Sequence, residues 1–329
     1  MLCTLRCLGR RELSEYQHNR AQARGAHAAP QGQGPVRPVS VSQGKRKPKR
    51  SGGVWRVVFI VSLIVFLCAA GALAFIGYGY WHGQQNNKQL EQIGFNAPDA
   101  SELQRTDLAS FTVDWDALRA INPDVAGWIY VPGTTVNFPI VHGTDDEHYL
   151  KTDFYGQTSW VSFGSIFLSA ANAADFSDAN NIVYGHHMND GSMFSPFADF
   201  GDADTFNGHR TVYVFTPAVN YQLTTFSIVH CAADDPLAQT AFASEDERQA
   251  YVQDKVDRSE VSVTGLPSAA DMKHTFALST CDNLASNGRW VLFAYESGST
   301  AAASAVADDN SINPEDVAAV SEAAKETAA

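Results

Sequence analysis

The run Phe276-Ala277-Leu278-Ser279-Thr280-Cys281, followed after a short polar loop by Arg289-Trp290-Val291-Leu292-Phe293, decides the reading of this 329-residue chain. Both pieces are apolar and short, and turn-forming residues separate them. They read as a strand that ends on a cysteine and a second strand that opens on an arginine. Upstream, Ile182-Val183-Tyr184-Gly185-His186-His187 is another apolar strand, ending on histidine. Cysteine, histidine and arginine at strand edges supply a nucleophile, an acid/base and a cation for an oxyanion. That set points to acyl transfer through a thioester.

Working outward, Gly127-Trp128-Ile129-Tyr130-Val131 begins a strand, and further strand-like runs fall at 136–141, 164–168, 211–216 and 220–231. With 180–185, 274–280 and 289–296 they imply one closed or nearly closed β domain of roughly 190 residues. Asp114 to Ile121 reads as a short helix, with apolar residues at 115, 118 and 121, and Asn122-Pro123-Asp124 ends it. A second helix opens at Ser244-Glu245-Asp246-Glu247, a cap with an acidic first turn, and runs to about Arg258. It is placed either to wall a substrate groove or to cover the barrel edge.

Charge divides the chain. Twelve of its 23 Lys and Arg, but only two of its 36 Asp and Glu, precede residue 57, which leaves residues 57–329 at a net −23. Val57 to Tyr80 carries no charged residue, and about 24 residues at a rise of about 1.5 Å span a bilayer core. Lys45-Arg46-Lys47-Pro48-Lys49-Arg50 lies just before it, so the N-terminus is expected in the cytoplasm and the acidic remainder outside. The long basic preface argues for an uncleaved anchor rather than a signal peptide. The segments expected are a disordered basic tail (1–53), a transmembrane helix (54–81), a stalk (82–110), a catalytic domain (111–297) and a disordered Ala-rich acidic tail (298–329).

Of the five cysteines, Cys3 and Cys7 fall on the cytoplasmic side, Cys68 in the span, and only Cys231 and Cys281 outside the cell, too few for a disulfide framework, although a bridge between them is formally open. Cys231 ends the apolar run Phe226-Ser227-Ile228-Val229-His230-Cys231 and reads as a buried thiol. Adjacent side chains in an extended segment point opposite ways, so only one of His186 and His187 faces a given site and the two make no metal pair. No HxH, HExxH or CxxC spacing completes a zinc site, and no cofactor is expected.

Three segments together resemble the class B sortases. They are Leu278-Ser279-Thr280-Cys281 with Arg289, Tyr184-Gly185-His186-His187-Met188, and Asn122-Pro123-Asp124-Val125-Ala126-Gly127-Trp128-Ile129. The resemblance runs from about residue 110 to 296, and the helix at 244–258 looks like the class B insertion between strands six and seven. It implies a mainly β fold: a closed eight-stranded sortase-type barrel with N-terminal helices, preceded by one transmembrane helix. It also implies a single-pass membrane enzyme of Gram-positive type whose catalytic domain is extracellular. Such an enzyme cleaves an Asn-Pro-x-Thr-like sorting signal on secreted proteins and joins the new C-terminus to an amine of peptidoglycan or a pilin lysine. By position Cys281 matches the nucleophile, His186 the family histidine, Arg289 the family arginine and His187 a non-catalytic second histidine. Asn137, Ser279, Thr280 and Asp282 match the substrate-binding surroundings, with the backbone N–H of Asp282 a candidate second oxyanion donor. A cysteine hydrolase of papain or amidase type and a non-enzymatic surface binding barrel are the competing classes. Papain-like folds place the cysteine at a helix start, whereas here it ends a strand.

Overall fold

In the computed structural model, residues 52–98, 100–103, 106–158, 163–232, 235, 239–283 and 288–300 are described. Residues 1–51 of the expected basic tail and 301–329 of the expected acidic tail lie outside the described residues. The strands are β1 (Val125–Tyr130), β2 (Asn137–His142), β3 (Ile166–Leu168), β4 (Asn180–Tyr184), β5 (Thr211–Phe215), β6 (Asn220–Cys231), β7 (Thr275–Cys281) and β8 (Arg289–Ser299). The helices are α1 (Gly52–Gly94), α2 (Ala100–Leu103), α3 (Trp115–Ile121), α4 (His148–Lys151), α5 (Ala203–Gly208) and α6 (Glu245–Asp257). The sheet closes in the order β1-β2-β3-β4-β7-β8-β6-β5, the eight-stranded barrel that the runs of apolar residues imply.

Period-two alternation decides which side chains fill the barrel. Phe138 and Ile140 of β2, Val183 of β4, Leu278 of β7 and Leu292 of β8 join the inner core. Their neighbours Val141, Ala277 and Val291 belong to two outer clusters. Most neighbouring strands are antiparallel, but β4 runs parallel to β7 from Asn180↔Thr275 to Tyr184↔Ser279. A parallel pair needs a long crossover, and here it includes β5, β6 and α6. That crossover sets the histidine end of β4 beside the cysteine end of β7.

α1 departs from the expected layout. A span over 54–81 and a separate stalk from 82 are expected, but the helix continues unbroken to Gly94. Nothing between the two breaks a helix: Gln84 to Gln92 are largely good helix formers, and the first proline after the apolar run is Pro98. The last turns pack on the barrel. Tyr80 meets Phe163 edge-on at 5.6 Å, Leu90 and Phe95 are buried, and Gly83 lies so close to the Phe163 ring that a Cβ would overlap it. The first part, from Val54 to Ile76, leaves its large apolar side chains exposed, and the helix is long and apolar enough to cross a membrane.

α3 and α6 begin where their caps dictate. Asp114 accepts from the Ala117 N–H at 3.0 Å, and Ser244 accepts from the Glu247 N–H at 3.2 Å. Glu247 in turn accepts from the Ala243 N–H at 2.7 Å. Ser244→Ala is expected to cost about 1 kcal/mol, read as a lowered thermal midpoint of the full chain in detergent. The buried face of α6 carries Arg248 and Lys255 beside Tyr251 and Val252. Arg248 donates to the Met272 and Ala270 carbonyls and pairs with Glu245, while Lys255 sits 4.5 Å over the Tyr251 ring.

A 3-10 turn at Ser195–Gly201 and α5 add two elements that no apolar run in the sequence marks. With the preceding Phe194 they bring Phe197, Phe200 and Phe206 fully into the inner core. The Gly, Asp and Ser residues around them read as loop, and the interval is too short for a helical period to show.

Candidate active site

β7 and β8 pair from Thr275↔Tyr295 to Cys281↔Arg289, so the cysteine and the arginine stand directly opposite each other. On the other side of β8, Arg289 is paired with Cys231 of β6. Directly paired residues point to the same face. Cys231, Arg289 and Cys281 therefore form one row on the outer face, on the same side of their strands as Ala277 and Val291. All three are partly exposed. Arg289 Nη1 donates to the Gly288 carbonyl at 3.0 Å, which holds the guanidinium near the strand's start.

The same register removes the possibility of a Cys231–Cys281 bridge. Two strand spacings separate them, about 10 Å, beyond the roughly 7 Å Cα limit for a disulfide, and both thiols are free. Burial, with the Asp235 charge adding to it, pushes the Cys231 thiol up to about 11. Cys231 is thus a protonated, poorly nucleophilic thiol at neutral pH. In peptide mapping after iodoacetamide at pH 8, Cys231 should remain unmodified in the folded protein and become labelled in denaturant.

Both histidines leave the end of β4, where the Gly185 N–H extends the ladder by donating to Ser279 O at 3.0 Å. His186 and His187 are partly exposed and differently held. His186 Nε2 lies 2.6 Å from Leu150 O, and its ring packs against Gly164, where an added Cβ would come within 2.9 Å of it. His187 Nδ1 lies 2.8 Å from the carbonyl oxygen of Cys281, and the Asn283 side chain donates to His187 O at 2.8 Å. A carbonyl oxygen only accepts, so the proton sits on Nε2 of His186 and on Nδ1 of His187. His187 staples the end of β4 to the backbone of the cysteine.

The other residues singled out from the sequence divide by face. Ser279 lies on the outer face with Cys281, paired with Val291 and Tyr184. Asn137 opens β2 on the outer face, its side-chain oxygen accepting from Trp128 Nε1 at 2.7 Å. Thr280 does not line the outer face. It pairs with Trp290, is 2% exposed and has no hydrogen-bond partner for Oγ1. Pleating turns it inward between two outward neighbours. Asp282 corrects the expectation too: its side chain is fully buried against His230, and its backbone N–H donates to Gly288 O at 3.0 Å instead of standing open to an oxyanion.

Tyr184 is a residue that the sequence reading passed over. It shares the outer face with Ser279, packs its ring on Phe167 at a tilt with centroids 5.2 Å apart, and feels the charge of Arg289. Burial, reinforced by Asp146, raises its hydroxyl to about 12, so it remains a neutral donor beside the arginine. Its place two residues before His186 in an alternating strand was the available signal. Among the described residues, no three His, Cys, Asp or Glu side chains converge to hold a metal.

No protein-family model matches the sequence. The chain is similar to Sortase B of Listeria monocytogenes, with 29% identity over 226 residues covering 66% of this chain and 87% of that protein. Among solved structures, sortase B of Clostridium perfringens aligns at 30% identity and a TM-score of 0.52, covering 55% of this chain and 98% of that one. Bacillus anthracis sortase B in complex with AAEK1 aligns at 27% identity and a TM-score of 0.56, covering 66% and 97%.

Proposed function

Because the chain belongs to the class B sortases, and so is a cysteine transpeptidase, we propose that Cys281, Arg289 and His186 carry its chemistry. The observation that supports this most is the register that sets Cys281 directly opposite Arg289 beside the histidine end of β4. The substrate is an Asn-Pro-x-Thr-like signal on a secreted protein. Cys281 Sγ attacks the threonine carbonyl, and the oxyanion accepts hydrogen bonds from the Arg289 guanidinium. The C–N bond then breaks as His186, which has taken the Cys281 thiol proton on Nδ1, passes it to the leaving amine, and this leaves a thioester on Cys281. An acceptor amine attacks the thioester, His186 takes its proton and returns it to the departing Sγ, and the free thiol is regenerated. With Nε2–H directed at Leu150 O, Nδ1 of His186 is the nitrogen that exchanges the proton.

His187 offers a second reading, because it is the histidine in contact with the backbone of Cys281. The two separate by substitution. His186→Ala is expected to lower kcat by about 10²- to 10⁴-fold, the usual worth of a positioned acid/base. His187→Ala should cost much less, since it removes a backbone staple. The reverse order would reassign the acid/base to His187.

We further propose that α1 anchors the protein with its N-terminus in the cytoplasm and the barrel outside. The basic preface, the charge-free run and the aromatic residues Tyr78, Tyr80 and Trp81 support this orientation. Phe163 bears on Tyr80 while the adjacent Gly164 bears on His186, so the site lies close to the end of the span. That proximity favours substrates tethered to the same membrane. The test is to incubate the full chain in detergent micelles with Asn-Pro-x-Thr peptides, using triglycine or an Nα-blocked lysine as acceptor. Cleavage after threonine with transfer to triglycine supports a cell-wall acceptor, and transfer to the lysine side chain supports a pilin acceptor. Release of the free acid alone, with either amine present, would favour the hydrolase class.

A further inference from the structure

Behind the outer row of Cys231, Arg289 and Cys281, the same three strands carry a second row on their inner face. His230 of β6 is paired with Trp290 of β8, and Trp290 with Thr280 of β7. The His230 ring lies flat on the Trp290 indole, centroids 4.4 Å apart and planes 15° apart. Its Nε2 is 2.9 Å from Oδ2 of Asp282, whose side chain is completely buried while that of His230 is one-third exposed. Asp282 follows Cys281 directly, and its N–H donates to the Gly288 carbonyl just before Arg289. Gly288 is packed so closely that a Cβ would overlap Asp282 Oδ2. A buried carboxylate needs hydrogen-bond partners; the imidazole is one that reaches it from β6, and through its N–H Asp282 ties the two ends of the loop. Trp290 is pinned from its other side by Gly201, where an added Cβ would stand 3.0 Å from the indole.

We propose that His230 and Asp282 form a clamp on the inner face that fixes Cys281 and Arg289 relative to each other. Both are positioning residues and neither touches the substrate. The clamp acts on Asp282 beside the nucleophile, and on Gly288 and Trp290 on either side of the arginine. This inference rests on the reading of Cys281 and Arg289 as nucleophile and oxyanion partner. An error of about 1 Å between two such groups costs up to about 100-fold in rate.

The test compares His230→Ala, His230→Asn and His230→Gln in the full chain in detergent micelles. The amide of Gln reaches the position of Nε2 and donates to Asp282, whereas the amide of Asn is one carbon too short. The two amide variants are matched in chemistry, so they separate the clamp from folding even where the alanine variant fails to fold. His230→Asn and His230→Ala should lower kcat up to about 100-fold with KM little changed, and His230→Gln should restore most of it. Amide exchange at Asp282, measured without substrate, should quicken in the Asn and Ala variants and stay slow with Gln. Wild-type kcat in folded His230→Asn, or an equal loss in the Gln and Asn variants, would overturn the clamp. A wild-type protein that turns over no Asn-Pro-x-Thr peptide would instead count against the catalytic reading. The clamp would then be judged by exchange alone, and equal rates at Asp282 in all variants would refute it.

Discussion

Cys281→Ala is expected to reduce transpeptidation by at least about 10⁴-fold, with the fold intact. The size follows from the role: loss of a covalent nucleophile removes the whole thioester route, and what remains is binding and oxyanion stabilisation without a bond-forming atom. The fold should survive because Cys281 is the last residue of β7, partly exposed, and its ladder partner Arg289 is held through the backbone. Cys231→Ala is the matched control. It deletes a thiol of the same row, raised by burial to about 11, and should leave turnover near wild type. Equal losses in the two variants would mean that the row is structural. Measuring both rates with one peptide and one acceptor, beside thermal melts, separates these outcomes.

Arg289→Lys should lower kcat by about 10²- to 10³-fold, the usual worth of an oxyanion donor, and Arg289→Ala should fall by a similar factor. Lysine keeps the charge but presents a point donor on a flexible stem, not a planar fork. In this site one arm of the fork is already committed, since Nη1 donates to Gly288 O. A lysine that satisfied the same carbonyl would have to turn its ammonium away from the oxyanion. Because the lost interaction forms only in the transition state, kcat and kcat/KM should fall together while KM stays close to wild type. A rise in KM alone would place Arg289 in substrate binding instead.

Much of this was legible in the sequence because it depends on local rules. A cysteine at the end of one apolar run and an arginine at the start of the next meet across a hairpin, whatever the rest of the chain does. The long apolar helix through 57–80 and the caps at Asp114 and Ser244 are equally local. The continuation of α1 to Gly94 was not read, because polar Gln84 to Gln92 lack an apolar face and their order comes partly from docking on Phe163 and Trp128. Thr280 and Asp282 were grouped with Cys281 by adjacency alone, although the two-residue period of a strand already turns them to the other face. The partnership of Asp282 with His230 spans 52 residues of sequence and depends on β6 and β7 both flanking β8, which no local pattern announces. On the inner face of α6, the apolar spacing of Tyr251, Val252 and Val256 was legible, whereas the burial of Arg248 and Lys255 beside them was not.

The most direct measurement is the intact mass of the full chain in detergent micelles, incubated with Asn-Pro-x-Thr peptides and no amine acceptor. The account predicts an added mass equal to the peptide through its threonine, mapped to Cys281 and removed by hydroxylamine. The adduct should be absent from Cys281→Ala. An adduct on another residue, or peptide cleavage that persists in Cys281→Ala, would contradict it.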